Sequence, residues 1–164
     1  MTRLPEPATF FVDRSLGGKI VAAALRSAGA VVEVHDDHFK KDDPDELWLT
    51  KVGASGWVAL TKDEQILHRP VEIVALFEAA TAVFVLVGGD LKGSEIARVW
   101  VAALPVMRDV IAQTDVPFVA RVRADGSVSV ALSADGSVSV ALSAEGVEVR
   151  ARRKRAKGKP TGGE

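Results

Sequence analysis

Between Thr9 and Thr114, short apolar stretches alternate four times with stretches of helical periodicity, and the apolar stretches have no polar face. Thr9-Phe-Phe-Val-Asp13 is followed by Leu16, Ile20, Ala23, Ala24 and Ala28 at helical spacing, closed by Gly29. Val31 to His35 reads as a second strand, and Pro44 stands where the first turn of a helix carrying Leu47, Trp48 and Val52 would place it, ending near Gly53. Gly56 to Leu60 is a third strand, about Pro70 to Ala80 a helix, and Ala82 to Val87 a wholly apolar fourth strand. A long amphipathic helix, with a kink expected at Pro105, covers roughly Ser94 to Thr114. Strands apolar on both sides must be covered on both sides. The pattern therefore predicts an α/β three-layer sandwich with a central parallel sheet.

After Gln113 the pattern changes. Pro117 to Arg123 is a strand, and Ala124 to Ser133 reads ADGSVSVALS, a decapeptide repeated without change from Ala134 to Ser143. A third copy begins at Ala144 and diverges into Val-Glu-Val-Arg. Asp-Gly turns separate stretches in which Val128, Val130 and Leu132 alternate with small residues, the signature of an antiparallel β-meander containing a duplicated strand. The expected organisation is a flexible leader over 1–8, a domain over 9–123, a meander extension over 124–150 and a basic, disordered tail over 151–164.

Charge is divided in the same way. Seven basic residues and no acid between Arg150 and Lys159 leave 14 basic against 21 acidic residues in 1–149. An acidic body with a basic end implies a carboxylate-rich site and an appendage that attracts polyanions, or else a solubilising end. The chain of 164 residues has no cysteine, which excludes disulfides, thiol nucleophiles and cysteine-zinc sites and fits a reducing cytoplasm. Its longest uncharged apolar run, Ala79 to Gly89, is too short to span a bilayer. Serine-hydrolase elbows, Walker loops and dinucleotide fingerprints are absent from the sequence.

Chemistry is expected at the carboxyl ends of the parallel strands, where open α/β sheets bind ligands. An acid stands near each end: Asp13 after the first strand, Asp36 and Asp37 after the second, Asp63 after the third and Asp90 after the fourth. Asp42, Asp43, Asp45 and Glu46 lie on the loop and first turn of the next helix. Singly, several have a structural explanation: Asp43, Asp45 and Glu46 as helix-terminal acids, Asp36, Asp37 and Asp90 as turn residues. Asp13 and Asp63 have none so simple. Jointly, converging carboxylates repel unless a multivalent cation sits among them, and hard oxygen ligands suit Mg²⁺ or Mn²⁺. His35 and His38, at i, i+3, could hold zinc with Asp36 or Asp37, but no third histidine lies nearby and exposed loop histidines are commoner. A phosphoacceptor receiver domain would need its acidic pair after the first strand; here the pair follows the second.

Phe11-Val-Asp-Arg-Ser-Leu-Gly17, His35-Asp-Asp-His-Phe39, Pro44-Asp-Glu-Leu-Trp48 and Gly56-Trp-Val-Ala-Leu-Thr-Lys-Asp63, in that order, resemble the PIN-like domains, and among them the branch related to VapC-type toxins. The resemblance covers about residues 9–123. It implies a small α/β sandwich and a metal-dependent ribonuclease that uses Mg²⁺ or Mn²⁺. It further implies RNA as substrate, a toxin role with a cognate antitoxin protein as partner, and a homodimer; no membrane association is expected from the short apolar runs. Carried over by motif, Asp13, Asp45 and Asp63 are catalytic and, with Asp37, metal ligands. Asp36, Glu46 and Asp90 are weaker candidates, Asp90 because the family's late carboxylate has no clear match. Arg14, Lys19 and Lys62 stand where they could neutralise phosphate. The alternative is a catalytically degenerate module that binds RNA or a protein partner.

Overall fold

A computed structural model describes residues 3–17, 19–88 and 90–137. A six-stranded sheet runs through it, built from β1 (Thr9–Val12), β2 (Val31–Val34), β3 (Val58–Thr61), β4 (Ala82–Leu86), β5 (Phe118–Val122) and β6 (Val128–Leu132). The spatial order is β2-β1-β3-β4-β5-β6, with the first five strands parallel and β6 antiparallel to β5. The helices are α1 (Ile20–Ser27), α2 (Asp45–Ser55), α3 (Pro70–Ala79) and α4 (Gly93–Gln113). This is the α/β sandwich that the doubly apolar strands require.

The alternation of side chains along each strand divides the core in two. Phe10, Val12, Leu60, Phe84, Phe118 and Val122 point to a layer formed by α1 and α4, around Leu25, Trp100 and Met107. Phe11, Ala59, Val83, Val85 and Val119 point to the opposite layer, against Trp48, Leu49 and Val52 of α2 and Leu76 of α3. Phe11 stacks on Trp48 with ring centroids 5.7 Å apart. Burying each of these aromatic side chains contributes about 1.5–3 kcal/mol, so the two-sided pattern stabilises both layers.

α2 and α3 meet through Gly53. A Cβ there would collide with the Ala79 carbonyl oxygen and lie 2.5 Å from Thr81 Oγ1, which itself donates to the Leu49 carbonyl at 2.7 Å. Only hydrogen fits between these helices.

Several boundaries differ from the sequence expectation for identifiable reasons. The first helix begins at Ile20 rather than near residue 15, because Arg14–Leu16 form a 3-10 turn ended by Gly17 at φ +87°. Gly56 does not open β3; it caps α2 in the left-handed conformation, φ 73°, which glycine adopts without steric cost. α4 remains helical across Pro105. Residues 3–8, expected as a loose leader, are anchored: Arg3 donates to Asp115 Oδ1 and to the Ala112 carbonyl, both at 2.8 Å, and Leu4 packs on the core. A cation beside the last carbonyls of α4 also complements the helix dipole.

Of the repeat, the first copy forms the turn before β6 and β6 itself. Asp125 Oδ1 accepts from the Ser127 amide at 2.9 Å, and Asp135 Oδ1 accepts from the Ser137 amide at the same distance. The duplicated sequence thus builds the same turn twice. The second strand of the meander, the diverged third copy and the basic tail lie outside the described residues, as do Met1 and Thr2.

Candidate active site

The chain leaves β1 toward β2 on one side and later returns to place β3 on the other, so β1 and β3 flank a topological switch point, the position at whose carboxyl ends open α/β sheets bind ligands. Val12 is in register with Leu60. The next residues, Asp13 and Thr61, therefore emerge side by side, and the Asp13 amide donates to the Leu60 carbonyl at 3.0 Å.

Asp13 is buried, 7% exposed, and its charge is held by hydroxyls. Oδ2 accepts from Thr61 Oγ1 and Ser15 Oγ, each at 2.8 Å. The two hydroxyls in turn accept backbone amides: Ser15 Oγ from Lys62 and Thr61 Oγ1 from Asp63, at 2.9 and 3.1 Å. Two short side chains thereby fasten the end of β1 to the turn after β3. Charge-assisted hydrogen bonds of this kind offset the cost of burying a carboxylate.

Asp63 caps the 3-10 turn Glu64–Leu67 through Oδ1, which accepts from the Gln65 amide, while Oδ2 accepts from Arg69. Asp45 is the first residue of α2, fixed by Trp48 Nε1, which donates to its Oδ1 at 3.0 Å. Glu72 lies in the first turn of α3, after Pro70. Both helix N-termini favour negative charge. Oxygen atoms of Asp45, Asp63 and Glu72 come within 4.8 Å of one another, the one such acidic group among the described residues.

A single guanidinium nitrogen sits among them. Arg69 Nη1 lies 2.9 Å from Asp63 Oδ2, 3.1 and 3.3 Å from the two Glu72 oxygens and 3.5 Å from Asp45 Oδ2. Burial pushes the Asp45 carboxyl above the usual carboxylate range; the charges of Asp13 and Asp63 push it further, against the Trp48 hydrogen bond and Arg69. Glu72 is raised too, first by burial and then by Asp45 and Asp63, with Arg69 opposing. The hydrogen bonds to Asp63 and Glu72 hold the Arg69 guanidinium more firmly protonated. Anionic repulsion in this cluster is compensated by one monovalent cation. The donors are carboxylate oxygens without nitrogen or sulfur, a set that fits Mg²⁺ or Mn²⁺.

Of the residues singled out in the sequence, Asp45 and Asp63 join Glu72 in the 4.8 Å group, and Asp13 lies outside it but near enough for its charge to act on Asp45. Asp37, Asp36, Glu46 and Asp90 also fall outside the group. Asp36 instead pairs with Arg14 Nε at 3.4 Å and His35 Nδ1 at 3.0 Å, across a cleft of about 130 Å³ that also touches Val12, Gly17 and Val34. His35 is buried rather than loop-exposed, and His38 pairs with Glu33 at 2.8 Å, so the two imidazoles are engaged separately. Lys19 and Lys62 are exposed. The sequence reading missed Glu72, Arg69, Ser15 and Thr61. Ser15, two residues after Asp13, was the one with a local signal, since that spacing suits a side-chain-capped turn.

The family model described as "PIN like domain" matches residues 8–88. A protein of Mycobacterium tuberculosis named "Putative ribonuclease VapC45" is 28% identical over 98 residues, covering 57% of this chain and 71% of that protein. No solved structure matches the chain.

Proposed function

The chain belongs to the PIN-like domain family, and from that premise we propose that it is a divalent-cation-dependent endoribonuclease acting as the toxin of a toxin–antitoxin pair. The observation that carries this reading is the convergence of Asp45, Asp63 and Glu72 from three separate segments, beside a buried Asp13 whose charge reaches Asp45. Folding pays electrostatic repulsion to assemble such a group, and a cation-binding role explains why. The name of the mycobacterial relative supports RNA as the substrate class.

Asp13, Asp45 and Asp63, with Glu72, would hold Mg²⁺ or Mn²⁺. When bound, the cation supplies an acidified water and neutralises charge developing on the phosphodiester. Ser15 and Thr61 fix the Asp13 carboxyl by donating to Oδ2. Trp48 aims Asp45 by holding Oδ1, and the Gln65 amide does the same for Asp63. Arg14 and Lys62, exposed at the ends of β1 and β3, would meet the RNA backbone, with Lys19 before α1. Residues 9–123 would form the nuclease unit. The basic stretch at 151–164 would add sequence-independent affinity that falls steeply with salt. Among the described residues no helix is long and apolar enough to cross a membrane; we place the protein in the cytoplasm, with an antitoxin as its protein partner and a homodimer as its assembly.

End-labelled single-stranded RNA, incubated with the full chain in Mn²⁺ or EDTA beside Asp63→Asn, tests the reading. Cleavage that requires the metal and disappears in the variant is expected. Folded protein that neither cuts RNA nor gains thermal stability from Mn²⁺ would leave a non-catalytic binding module.

A further inference from the structure

The position between Asp45, Asp63 and Glu72 is already filled by a charge of the chain itself. Arg69 Nη1 contacts all three carboxylates, at 2.9 to 3.5 Å, and these are the three residues whose carboxylate oxygens lie within 4.8 Å of one another, as a small cation would require. A guanidinium nitrogen and a divalent ion cannot occupy one oxygen cage: they would share acceptors and repel at short range. Arg69 is not locked in place. Its side chain is 45% exposed, it immediately precedes α3, and its recorded partners are the three carboxylates. Release into solvent therefore carries little desolvation cost, and the attraction it gives up is the attraction the incoming ion replaces.

We propose that Arg69 is an intrinsic counter-ion that divalent metal must displace, so that metal loading is an exchange of cations and not filling of an open site. The proposal rests on the metal-site reading above and deepens it. In the absence of metal, the guanidinium relieves the repulsion among the carboxylates and keeps α2, α3 and the turn after β3 assembled. In its presence, one charge replaces the other at the same oxygens, and the apparent affinity is lowered by the free energy of releasing Arg69. Arg69 thus sets the cation concentration at which the site is loaded.

Calorimetric titration of the full chain with Mn²⁺, for the unaltered protein and for Arg69→Gln, tests this. The variant is expected to bind Mn²⁺ about tenfold more tightly or better, to melt lower in EDTA, and to gain more from Mn²⁺ in melting temperature. Equal or weaker binding by a folded Arg69→Gln, while the unaltered protein still binds, would overturn the role of Arg69 and leave the metal site standing. No Mn²⁺ binding by either protein would overturn both. A second readout does not depend on the variant folding. In the unaltered protein, the Arg69 Nε–H resonance should shift on addition of Mg²⁺ and saturate together with the Asp63 amide. An Arg69 resonance that stays in place while the Asp63 amide moves would also refute the exchange.

Discussion

Thr61 Oγ1 donates to Asp13 Oδ2 at 2.8 Å, joining two residues that are 48 apart in sequence and adjacent in the sheet. The same hydroxyl accepts the Asp63 amide, so one buried group sets both the acid after β1 and the turn that carries the acid after β3.

Thr61→Val keeps the volume and suits a strand, yet leaves the Asp63 amide without its acceptor and removes one of the two hydroxyls that hold Asp13. A loss of about 1–3 kcal/mol is expected, the cost of an unsatisfied buried polar group, with weaker Mn²⁺ binding. Denaturant unfolding and calorimetry check the two effects, and Thr61→Ser should retain both functions of the hydroxyl.

Gly53→Ala tests the seam between α2 and α3 independently of any charge. Its Cβ would meet the Ala79 backbone and Thr81 Oγ1 at separations that side chains do not tolerate. Relief requires the helices to move apart, at about 1–3 kcal/mol or more, although alanine is otherwise the better helix former. A melting temperature unchanged from the parent would show that the helices yield easily.

Stability should also depend on pH in a defined sense. Burial raises Asp45 and Glu72 in the folded chain, so between the unfolded and folded values the native state holds more protons than the unfolded one. Their contribution to stability is full below the unfolded values and is lost as pH rises through the folded ones. In EDTA, the melting temperature of the native chain is expected to decline relative to Glu72→Gln over the interval just above the ordinary carboxylate range. Metal, which takes the ionised form, should bind more tightly across that same interval.

The candidate site was legible where it coincides with strand ends. Asp13 and Asp63 terminate apolar runs, and that position in a parallel sheet is a place for ligands whatever the loops do. Asp45 was legible through the order of motifs around it. Glu72 and Arg69 were not, because an arginine, a proline and an acid at the start of a helix are what dipole and capping preferences produce on any surface helix. Their approach to Asp63 depends on how α3 lies across the sheet, and that is fixed by Gly53, sixteen residues or more from either. Asp36 was a reasonable ligand by sequence, but the turn after β2 gives it to Arg14 and His35. Element boundaries were misjudged where a glycine carried a positive φ, the start of α1 after Gly17 and the start of β3 after Gly56, since neither pattern nor composition reveals which glycine bends the chain.

The indole of Trp48 holds Asp45 by its one polar atom while its rings lie stacked in the core. An indole's emission follows the electric field along its ring and the state of its N–H. Any change of charge at the carboxylates therefore acts directly on a chromophore that is itself shielded from solvent. The molecule carries an optical gauge of its own site, readable without a label, with Trp57 and Trp100 as the background against which a Trp48→Phe variant isolates the signal.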